Sequence, residues 1–225
     1  MSTELPQGAQ EYLEAIYEME EEGARIQQAR IAKRMGVSPA AVSEQVRRLE
    51  KEGLITINGR EIKLSESGRA TATPLVRRHR LAERLLTDIL EIPWHRAHEE
   101  AHKWEHVMSP EVEERILVKT GATTCPHGNP IPGCDPPWAR AELVTLADLG
   151  EGRQGVLRLL TEDVELVTGV LAYFEEHQLM PGAMVLVRSV SPDGTLTLEV
   201  DGQFASLGPH LADNLWVTPE PAPTG

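Results

Sequence analysis

The stretch that decides the fold lies at residues 31–51 and has the sequence IAKRMGVSPAAVSEQVRRLEK. Its first part is a short amphipathic helix that ends at Gly36, whose missing Cβ suits a left-handed turn. Ser38 and Pro39 then start a second helix, with serine as the N-cap and proline at the first helical position. The stretch predicts a helix-turn-helix, with a plain helical hairpin as the alternative.

The second helix has the surface expected of a DNA-recognition helix. Val42, Val46 and Leu49 face the core, so small and polar groups at the helix start and basic groups behind them face outward. This order fits a helix whose first turn meets base edges in a major groove and whose later residues meet phosphate. The candidate DNA contacts of this segment are Ser38, Pro39, Ala40, Ser43, Glu44, Arg47, Arg48 and Lys51.

Residues 53–64 follow directly and predict a two-stranded wing. β-rich residues flank Asn58-Gly59, a dipeptide typical of tight hairpins. Arg60 at the tip is a candidate phosphate contact, or simply an exposed residue of an edge strand. Together these elements predict a winged helix-turn-helix domain over residues 1–73.

The charge distribution favours nucleic acid although the net charge is −13. Residues 25–80 carry thirteen basic and five acidic side chains. The segments before and after are acidic, with seven acidic and no basic residues in 1–24 and twenty-three acidic against nine basic in 81–225. One basic module between two acidic stretches is expected when a single face meets phosphate.

A second informative stretch is HEEAHKWEH at residues 98–106, which is rich in histidine and glutamate. As part of a helix from about His95 to Met108, it places His98, His102, Glu105 and His106 on one stripe. Imidazole and carboxylate groups are the usual ligands of Zn, Mn and Fe, so the stripe predicts a metal site, with a solvated charged face as the alternative. In the preceding helix, His79 and Glu83 lie four residues apart and form a second candidate pair.

Apolar periodicity predicts helices over 11–19, 65–90 and 110–119. The apolar surface of the last two exceeds what a small wing needs, which favours homodimerisation, with packing inside one chain as the alternative. In the first helix, Glu11 and Glu14 lie three apart, a pattern that the helix dipole alone also explains. These helices predict a metal-binding and dimerisation domain over residues 74–140.

A proline-rich linker begins at about residue 120 and contains both cysteines of the chain. Cys125 and His127 with Cys134 form a potential zinc site, but a fourth ligand and paired spacing are missing, so free thiols are favoured. The small number of cysteines, the absence of an apolar leader over residues 1–8 and the lack of a long apolar run favour a cytoplasmic protein that does not enter a membrane.

The hydrophobic period changes from residue 141 onward. Five short strands are predicted at 143–149, 155–160, 183–190, 195–200 and 204–207, with a helical insertion at 163–176. They predict a small β-barrel over residues 141–219, followed by a tail at 220–225. The fold class is therefore mainly α with β.

The histidine-rich stretch also satisfies two peptidase patterns, His98-Glu99-x-x-His102 and its inverse ending at His106. A zinc metallopeptidase would need a third ligand downstream and would leave the basic winged helix without a purpose. A metal buffer that does not bind DNA explains the ligands but not the winged helix. The basic module separates both hypotheses from a metal-dependent regulator.

This order of elements resembles the diphtheria toxin repressor family of metal-dependent transcriptional regulators over nearly the whole chain. The resemblance is carried by EEEG at 20–23, ARIA at 29–32, HRLAERLL at 79–86, WEHVMS at 104–109 and GNPIPG at 128–133. It implies a homodimer that binds double-stranded operator DNA when two metal sites per subunit are filled, and a C-terminal barrel similar to a Src-homology-3 domain. By position it implies that Glu105 and His106 belong to the activating site, and that His79, Glu83 and His98 belong to the ancillary site.

Two positions depart from the iron-responsive branch of that family, which has methionine where this chain has Glu11 and cysteine where it has His102. Replacing a thioether and a thiol by a carboxylate and an imidazole makes the site harder, which favours Mn²⁺, with Fe²⁺ as the alternative. The resemblance aligns Glu14 with a second carboxylate of the manganese-responsive relatives. The predicted function is a manganese-responsive repressor of metal-homeostasis genes. The barrel residues Glu162, Asp163 and Glu165 are candidates for completing a site, but the sequence does not choose among them.

Overall fold

The computed structural model describes residues 5–138 and 142–220. Its helices are α1 (Gln7–Glu21), α2 (Gln28–Met35), α3 (Pro39–Lys51), α4 (Glu66–Arg84), α5 (Ala97–Ala101), α6 (Pro110–Thr120), α7 (Leu146–Leu149), α8 (Glu162–Glu165), α9 (Val170–Glu176) and α10 (Pro209–Ala212). Its strands are β1 (Ile55–Asn58), β2 (Glu61–Leu64), β3 (Val144–Thr145), β4 (Gln154–Leu160), β5 (Met184–Val190), β6 (Leu196–Val200), β7 (Gln203–Leu207) and β8 (Leu215–Pro219).

The winged helix forms as its local signals predict. Gly36 ends α2 in the left-handed region at φ 64°, and the Ser38 hydroxyl caps α3 by accepting a hydrogen bond from the Ala41 amide at 3.2 Å. Strands β1 and β2 pair antiparallel, with Asn58 opposite Glu61 across the turn. Val42, Val46 and Leu49 are fully buried in a core that they share with α1, so α1 and the recognition helix are packed as one unit.

The start of α4 fixes the wing to the helical module. The Ser65 hydroxyl caps α4 through the Gly68 amide, and the Ser65 amide donates to the Leu54 carbonyl. A Cβ at Gly68 would lie 1.8 Å from that carbonyl oxygen, so only glycine allows this approach. The wing therefore follows any movement of α4.

The helix predicted from about His95 to Met108 is wrong in its extent. A 3-10 turn covers Trp94–Arg96, α5 ends at Ala101, and residues 102–107 form tight turns. The Trp104 amide bonds to the Ala101 carbonyl at 2.8 Å and the Lys103 amide to that of Glu100 at 3.1 Å, a three-residue spacing that tightens the backbone. The ligand candidates of this stretch are therefore gathered by a turn and not by one helical stripe.

The C-terminal domain is a six-stranded antiparallel sheet with the order β3-β8-β4-β5-β6-β7 among the described residues. The five predicted strands therefore miss one strand, β8, which lies between β3 and β4. The strand predicted over 143–149 is also wrong, because only Val144 and Thr145 are extended and Thr145 then caps α7 through the Asp148 amide at 3.1 Å. The predicted helical insertion is divided into α8 and α9 by Gly169, which adopts φ 81°.

Buried apolar side chains of the described residues form three cores, one for each part of the fold. The linker is packed against the sheet at Gly128, where a Cβ would lie 2.0 Å from the Arg158 carbonyl oxygen of β4. The Leu160 amide also donates to the His127 carbonyl at 3.0 Å. The predicted domain boundary near residue 140 lies outside the described residues, as does the predicted tail at 220–225 except for Glu220, whose amide donates to the Gln154 carbonyl at 3.0 Å. In the part that is described, no helix is both long and apolar enough to cross a membrane.

Candidate metal centre

A group of titratable side chains fills the space between α4, α5, the linker and α8. We name it the buried cluster, and its members are His79, Glu83, His98, Cys125, His127 and Glu165. All six are buried, and four separate segments supply them. Such a concentration of ionisable groups away from water requires mutual pairing or a cation.

The donor atoms of the buried cluster lie close together. Glu165 Oε2 lies 2.9 Å from His127 Nδ1 and 3.0 Å from His98 Nδ1. Glu83 Oε1 lies 3.1 Å from His127 Nδ1 and 3.4 Å from His98 Nδ1. Single donor atoms of Glu83, Cys125 and His127 all lie within 4.8 Å of one another, as do those of Glu83, His98 and Glu165.

A second group lies beside the first, where the turn after α5 faces α1. We name it the open cluster, and its members are Glu11, Glu14, His102, Glu105 and His106. Donor atoms of Glu14, His102 and Glu105 lie within 4.8 Å of one another. Glu11 and His106 join them in lining a cavity of about 340 Å³ between α1 and the turn. His102 and Glu11 remain accessible to water, which gives this cluster its name.

His79 is a member of the buried cluster that also contacts the open cluster. Its Nδ1 is 2.6 Å from Glu105 Oε2 in the open cluster. Its Nε2 is 3.2 Å from His98 Nδ1 and 3.5 Å from Glu83 Oε1 in the buried cluster. One imidazole ring therefore connects the two groups.

Burial and charge shift the titration of the buried cluster strongly. Burial opposes charge on His98, but the Glu165 and Glu83 carboxylates outweigh it and raise the His98 pKa to about 10. Burial acts to raise the pKa of Glu165, but the charges of His127 and His98 dominate and lower it to about 2. Burial raises the pKa of the Cys125 thiol to about 12. The imidazoles and the thiol of this cluster therefore carry protons near neutral pH, and a bound cation would displace them.

The open cluster titrates differently. Burial, and next the negative charge of Glu105, raise the pKa of Glu14 to about 8. Burial acts in the same direction on Glu105, but hydrogen bonds from His102 and His79 outweigh it and lower its pKa to about 2. Desolvation and the neighbouring His79 and His98 lower the pKa of His102, which favours the neutral imidazole that binds metal.

Both clusters fit a divalent cation. Among the described residues, several buried donor atoms of this region lack a hydrogen-bond partner: Glu14 Oε1, His98 Nε2, Glu105 Oε1, His127 Nε2, Glu162 Oε2 and Glu165 Oε2. Buried polar atoms are rarely left without a partner, and carboxylate with imidazole is the donor set of Mn²⁺, Fe²⁺ and Zn²⁺. Unpartnered carboxylate and imidazole atoms within a few ångström of other donor atoms are a feature that a bound cation would explain.

The candidate metal ligands named from the sequence lie in these two groups. His79, Glu83 and His98 lie in the buried cluster, and Glu11, Glu14, His102, Glu105 and His106 surround the open one. The sequence analysis favoured free thiols in the linker, and both cysteines are free. It did not assign Cys125 and His127 to a metal site, although both lie in the buried cluster, while Cys134 lies apart from both groups. The Cys-x-His spacing was the available signal, but its partners Glu83 and Glu165 lie about 40 residues away on either side.

The predicted DNA-contacting residues are exposed or half-exposed on α3 and the wing tip. Two of the basic side chains are engaged within α3, since Arg47 donates to the Ser43 carbonyl at 3.0 Å and Arg48 pairs with Glu52 at 2.9 Å. The Ser38 hydroxyl is used for the cap. Arg60 and Lys51 are exposed without an ion pair within the described parts of the chain.

A winged helix connected to paired clusters of metal-binding side chains defines a metal-responsive DNA-binding protein. The chain matches the family models described as iron dependent repressor, N-terminal DNA binding domain, over residues 4–61, and iron dependent repressor, metal binding and dimerisation domain, over residues 65–133. Residues 144–219 match the FeoA domain. The iron-dependent repressor IdeR of Mycobacterium tuberculosis (strain H37Rv) is 40% identical over 218 residues, covering 92% of this chain and 94% of that protein.

This chain belongs to the diphtheria toxin repressor family of metal-dependent transcriptional repressors. The diphtheria toxin repressor of Corynebacterium efficiens is 48% identical over 198 residues, covering 87% of this chain and 75% of that protein. A manganese-dependent transcriptional repressor in complex with manganese has a similar structure, with a TM-score of 0.80, 30% identity, and coverage of 94% of this chain and 100% of that one. The family consists of DNA-binding repressors and not enzymes, so the metallopeptidase hypothesis is wrong.

Proposed function

We propose that this protein is a manganese-responsive repressor that binds operator DNA as a homodimer when both clusters hold a divalent metal. The single observation that carries the choice of manganese is the donor set of the open cluster. Its atoms within ligand distance of one another belong to Glu14, His102 and Glu105, which are oxygen and nitrogen donors without sulfur. Hard donors favour Mn²⁺ relative to sites that contain thiolate or thioether.

An iron-responsive repressor is the second candidate. The 40% identity to an iron-dependent repressor favours it, as does the thiol of Cys125 in the buried cluster. A softer ligand there increases the affinity for Fe²⁺, Co²⁺ and Zn²⁺. The two candidates therefore differ in which cluster controls the response.

The activation mechanism follows from how α1 is placed. Glu14 lies on the side of α1 that faces Glu105, whereas Leu13 and Ile16 are fully buried in the core of the winged helix. Burial, and next the charge of Glu105, raise the Glu14 pKa to about 8, so Glu14 carries a proton near neutral pH when no metal is bound. Glu14, His102 and Glu105 would hold the cation, whose charge would replace the proton on Glu14 and draw that carboxylate towards the turn after α5. Because α1 shares a core with the winged helix, the winged helix would move with Glu14.

The surface proposed for dimerisation is the exposed apolar side of the helical module. Its side chains are Ile89, Leu90, Trp104, Val107, Val112 and Val118, of which Val107 is 80% exposed. Large apolar groups exposed on a domain are typical of an interface between subunits when they form a continuous patch. In a dimer the two recognition helices face successive major grooves, so the position of each winged helix determines whether both fit.

The test is fluorescence anisotropy on a palindromic promoter fragment, first with metal-free protein and then with Mn²⁺, Fe²⁺, Co²⁺ and Zn²⁺ in turn. We expect binding that appears with Mn²⁺ and disappears on chelation. Activation by Fe²⁺ and Co²⁺ with no response to millimolar Mn²⁺ would support the iron-responsive candidate instead. Sequence-selective binding that no metal changes would contradict both.

A further inference from the structure

Helix α8 presents acidic side chains in two directions. Glu162 and Glu165 are three residues apart and therefore share one face of this single turn, and both are buried. Asp163 is rotated by about 100° from Glu162 around the helix axis, so it points elsewhere. One short element of the C-terminal domain therefore contacts two different parts of the molecule.

The buried face of α8 belongs to the metal centre. Glu165 Oε2 approaches His127 Nδ1 at 2.9 Å, and Asn129 Nδ2 donates to Glu165 Oε1 at 3.0 Å. Glu162 Oε1 lies 3.6 Å from the buried guanidinium of Arg80. The position of α8 is thus defined by groups of the buried cluster and its surroundings.

The other direction leads to the helix-turn-helix. Asp163 Oδ1 accepts a hydrogen bond from Arg34 Nε at 2.6 Å, and Arg30 Nη2 lies 3.4 Å from Asp163 Oδ2. Both arginines belong to α2. The Arg34 side chain is 3% exposed and also pairs with Glu22 at 2.6 Å and Glu18 at 3.4 Å. Asp163 therefore supplies one of three carboxylates around a nearly buried cation.

Helix α8 has little freedom to move independently. Val164 is buried in the core of the sheet domain. The Thr161 amide donates to the Asn214 carbonyl at 3.0 Å, and the Thr161 hydroxyl donates to the Asn214 side chain at 2.7 Å. A displacement of Glu165 is consequently passed to Asp163, two residues earlier, instead of being absorbed by a flexible loop.

We propose that Asp163 is a positioning residue that transmits the occupancy of the buried cluster to α2 through Arg34. The inference rests on the proposed two-cluster function. Glu165 can ligate a metal only from the position that α8 gives it, so ligation selects that position, and Asp163 then holds Arg34 and with it the helix-turn-helix. This link runs through the C-terminal domain and is separate from the link through Glu14 and α1.

The proposal has a reciprocal consequence. If metal in the buried cluster strengthens DNA binding through Asp163, then DNA must strengthen metal binding there by the same factor. An ion pair with a purely structural role changes the free energy of unfolding but does not change the factor by which metal and DNA strengthen each other's binding. That factor is therefore the quantity to measure.

The first experiment compares wild type, Asp163→Asn, Asp163→Glu and Asp201→Asn, each as the full chain with Mn²⁺. Asp201 lies in the turn between β6 and β7, has no ion pair among the described residues, and gives the same change of charge, so it is the matched control. Operator affinity is measured with and without Mn²⁺, and Mn²⁺ affinity with and without operator DNA. Each pair of values gives one ratio, which states how strongly one ligand promotes binding of the other. We expect Asp163→Asn to reduce both ratios by roughly fivefold or more, and Asp163→Glu and Asp201→Asn to keep most of the wild-type ratios.

The outcomes separate the two proposals. If wild-type DNA binding does not depend on metal, the proposed function fails, and this inference fails with it. If the wild type responds to Mn²⁺ and Asp163→Asn has the same two ratios, only the role of Asp163 is overturned. The inference is supported if both ratios fall in Asp163→Asn while the Mn²⁺ affinity of this variant in the absence of DNA stays at the wild-type value.

A second measurement does not require a variant at position 163. Amide hydrogen exchange of α2 is followed in the wild type and in Glu165→Gln, with and without Mn²⁺. We expect Mn²⁺ to protect α2 in the wild type, and Glu165→Gln to lose this protection while α1 keeps its own. Equal protection of α2 in both proteins would overturn the inference.

Discussion

The open and buried clusters use similar donor atoms in different surroundings. The open cluster joins one helix of the winged helix to one turn and contains a half-exposed carboxylate, Glu11, and an exposed imidazole, His102. The buried cluster draws on four segments and contains the thiol of Cys125, and its carboxylates raise the pKa of His98 to about 10 and that of His127 well above its ordinary value. Ligands of the same type can therefore couple metal binding to movement where they join segments that are free to move. Where they join segments that are already packed together, the same ligands add rigidity.

Glu105 is expected to give the largest effect because it contacts both groups, with His79 on one side and His102 on the other. Glu105→Gln should reduce metal-dependent operator affinity by about 100-fold or more, since loss of groups that support a metal site typically costs 10–100-fold. Anisotropy with Mn²⁺ measures this, and sedimentation velocity should show an intact dimer. The control is Glu99→Gln, an exposed acid of α5, which should behave as wild type. A full Mn²⁺ response in Glu105→Gln would show that the carboxylate of Glu105 is not needed for the response to metal.

Glu14 and Glu11 test how the open cluster reaches α1. Glu14 is 3% exposed and faces Glu105, whereas Glu11 lines the edge of the same cavity. Glu14→Ala should therefore reduce Mn²⁺-activated DNA binding by about 100-fold, and Glu11→Ala by at least about tenfold, with the dimer preserved in both. Anisotropy with increasing Mn²⁺ gives both values. A normal response of Glu11→Ala would restrict the link between metal and DNA to Glu14.

Gly128 tests the buried cluster without altering a ligand. Gly128→Ala places a Cβ 2.0 Å from the Arg158 carbonyl oxygen at a residue with φ 95°, so the linker must leave β4 and take Cys125 and His127 with it. We expect the free energy of unfolding to fall by about 2–4 kcal/mol and the Mn²⁺ affinity of this cluster to fall by about tenfold or more. Gly121→Ala is the control, because its added Cβ meets nothing within 4 Å and only its φ of 62° opposes the change. Equal metal affinities in the two variants would show that the docking of the linker does not organise the cluster.

The pH dependence of Mn²⁺ affinity should distinguish the clusters. Filling the open cluster removes one proton from Glu14 below its pKa of about 8, so affinity should fall about tenfold per pH unit below 8. Filling the buried cluster displaces protons from His98, with a pKa of about 10, from His127 and from Cys125, so its slope should be steeper. Calorimetry in buffers of different ionisation enthalpy counts the protons released. Equal counts in wild type and in Glu14→Ala would contradict the assignment of a proton to Glu14.

The same shift has a consequence for the stability of the metal-free protein. The Glu14 pKa is raised from its ordinary value of 4.5 to about 8 in the folded state, so folding takes up a proton between these values. Stability from this group is fully present below 4.5 and is lost as the pH rises through 8. Mn²⁺ should therefore raise the melting temperature more at pH 8 than at pH 6, as measured by thermal unfolding.

Cys125→Ser should have the smallest effect on Mn²⁺ and a larger one on Zn²⁺. Replacing a thiol by a hydroxyl removes the only sulfur donor among the described members of the two clusters. We expect a few-fold loss of Mn²⁺ affinity and about a tenfold or greater loss of Zn²⁺ affinity, because thiolate binds softer metals more tightly. Competition titrations give both values. Equal losses would show that Cys125 is not a ligand.

The sequence predicted the winged helix well because its signals are local. Gly36, Ser38, Pro39 and Asn58-Gly59 each determine the backbone within a few residues of themselves. The strand β8 and the helical turn α7 were not predicted. The strands β2 and β7 are equally short, but an Asn-Gly or Asp-Gly turn lies just before each of them, whereas no such turn lies just before β8. The four residues of α7 are too few to show a helical period.

The resemblance assigned Glu105 and His106 to one site and His79, Glu83 and His98 to another, and these candidates lie in the open and the buried cluster. The single helix predicted from about His95 to Met108 was the wrong account of how the candidates of that stretch come together. Cys125, His127 and Glu165 reach the site only because Gly128 lets the linker pack on β4 and because α8 follows that strand. Contacts between segments so far apart in the chain leave no periodic pattern in the sequence.

The position of His79 couples the two clusters through a single ring. The Glu105 and Glu83 carboxylates outweigh burial and raise the His79 pKa well above its ordinary value, so both ring nitrogens carry protons, with Nδ1 at 2.6 Å from Glu105 and Nε2 at 3.5 Å from Glu83. A metal ion that took Nε2 as a ligand would displace the proton on that nitrogen and leave the Nδ1 proton on Glu105. The protonation of one imidazole would in this way connect metal binding in the buried cluster to the placement of Glu105 in the open one.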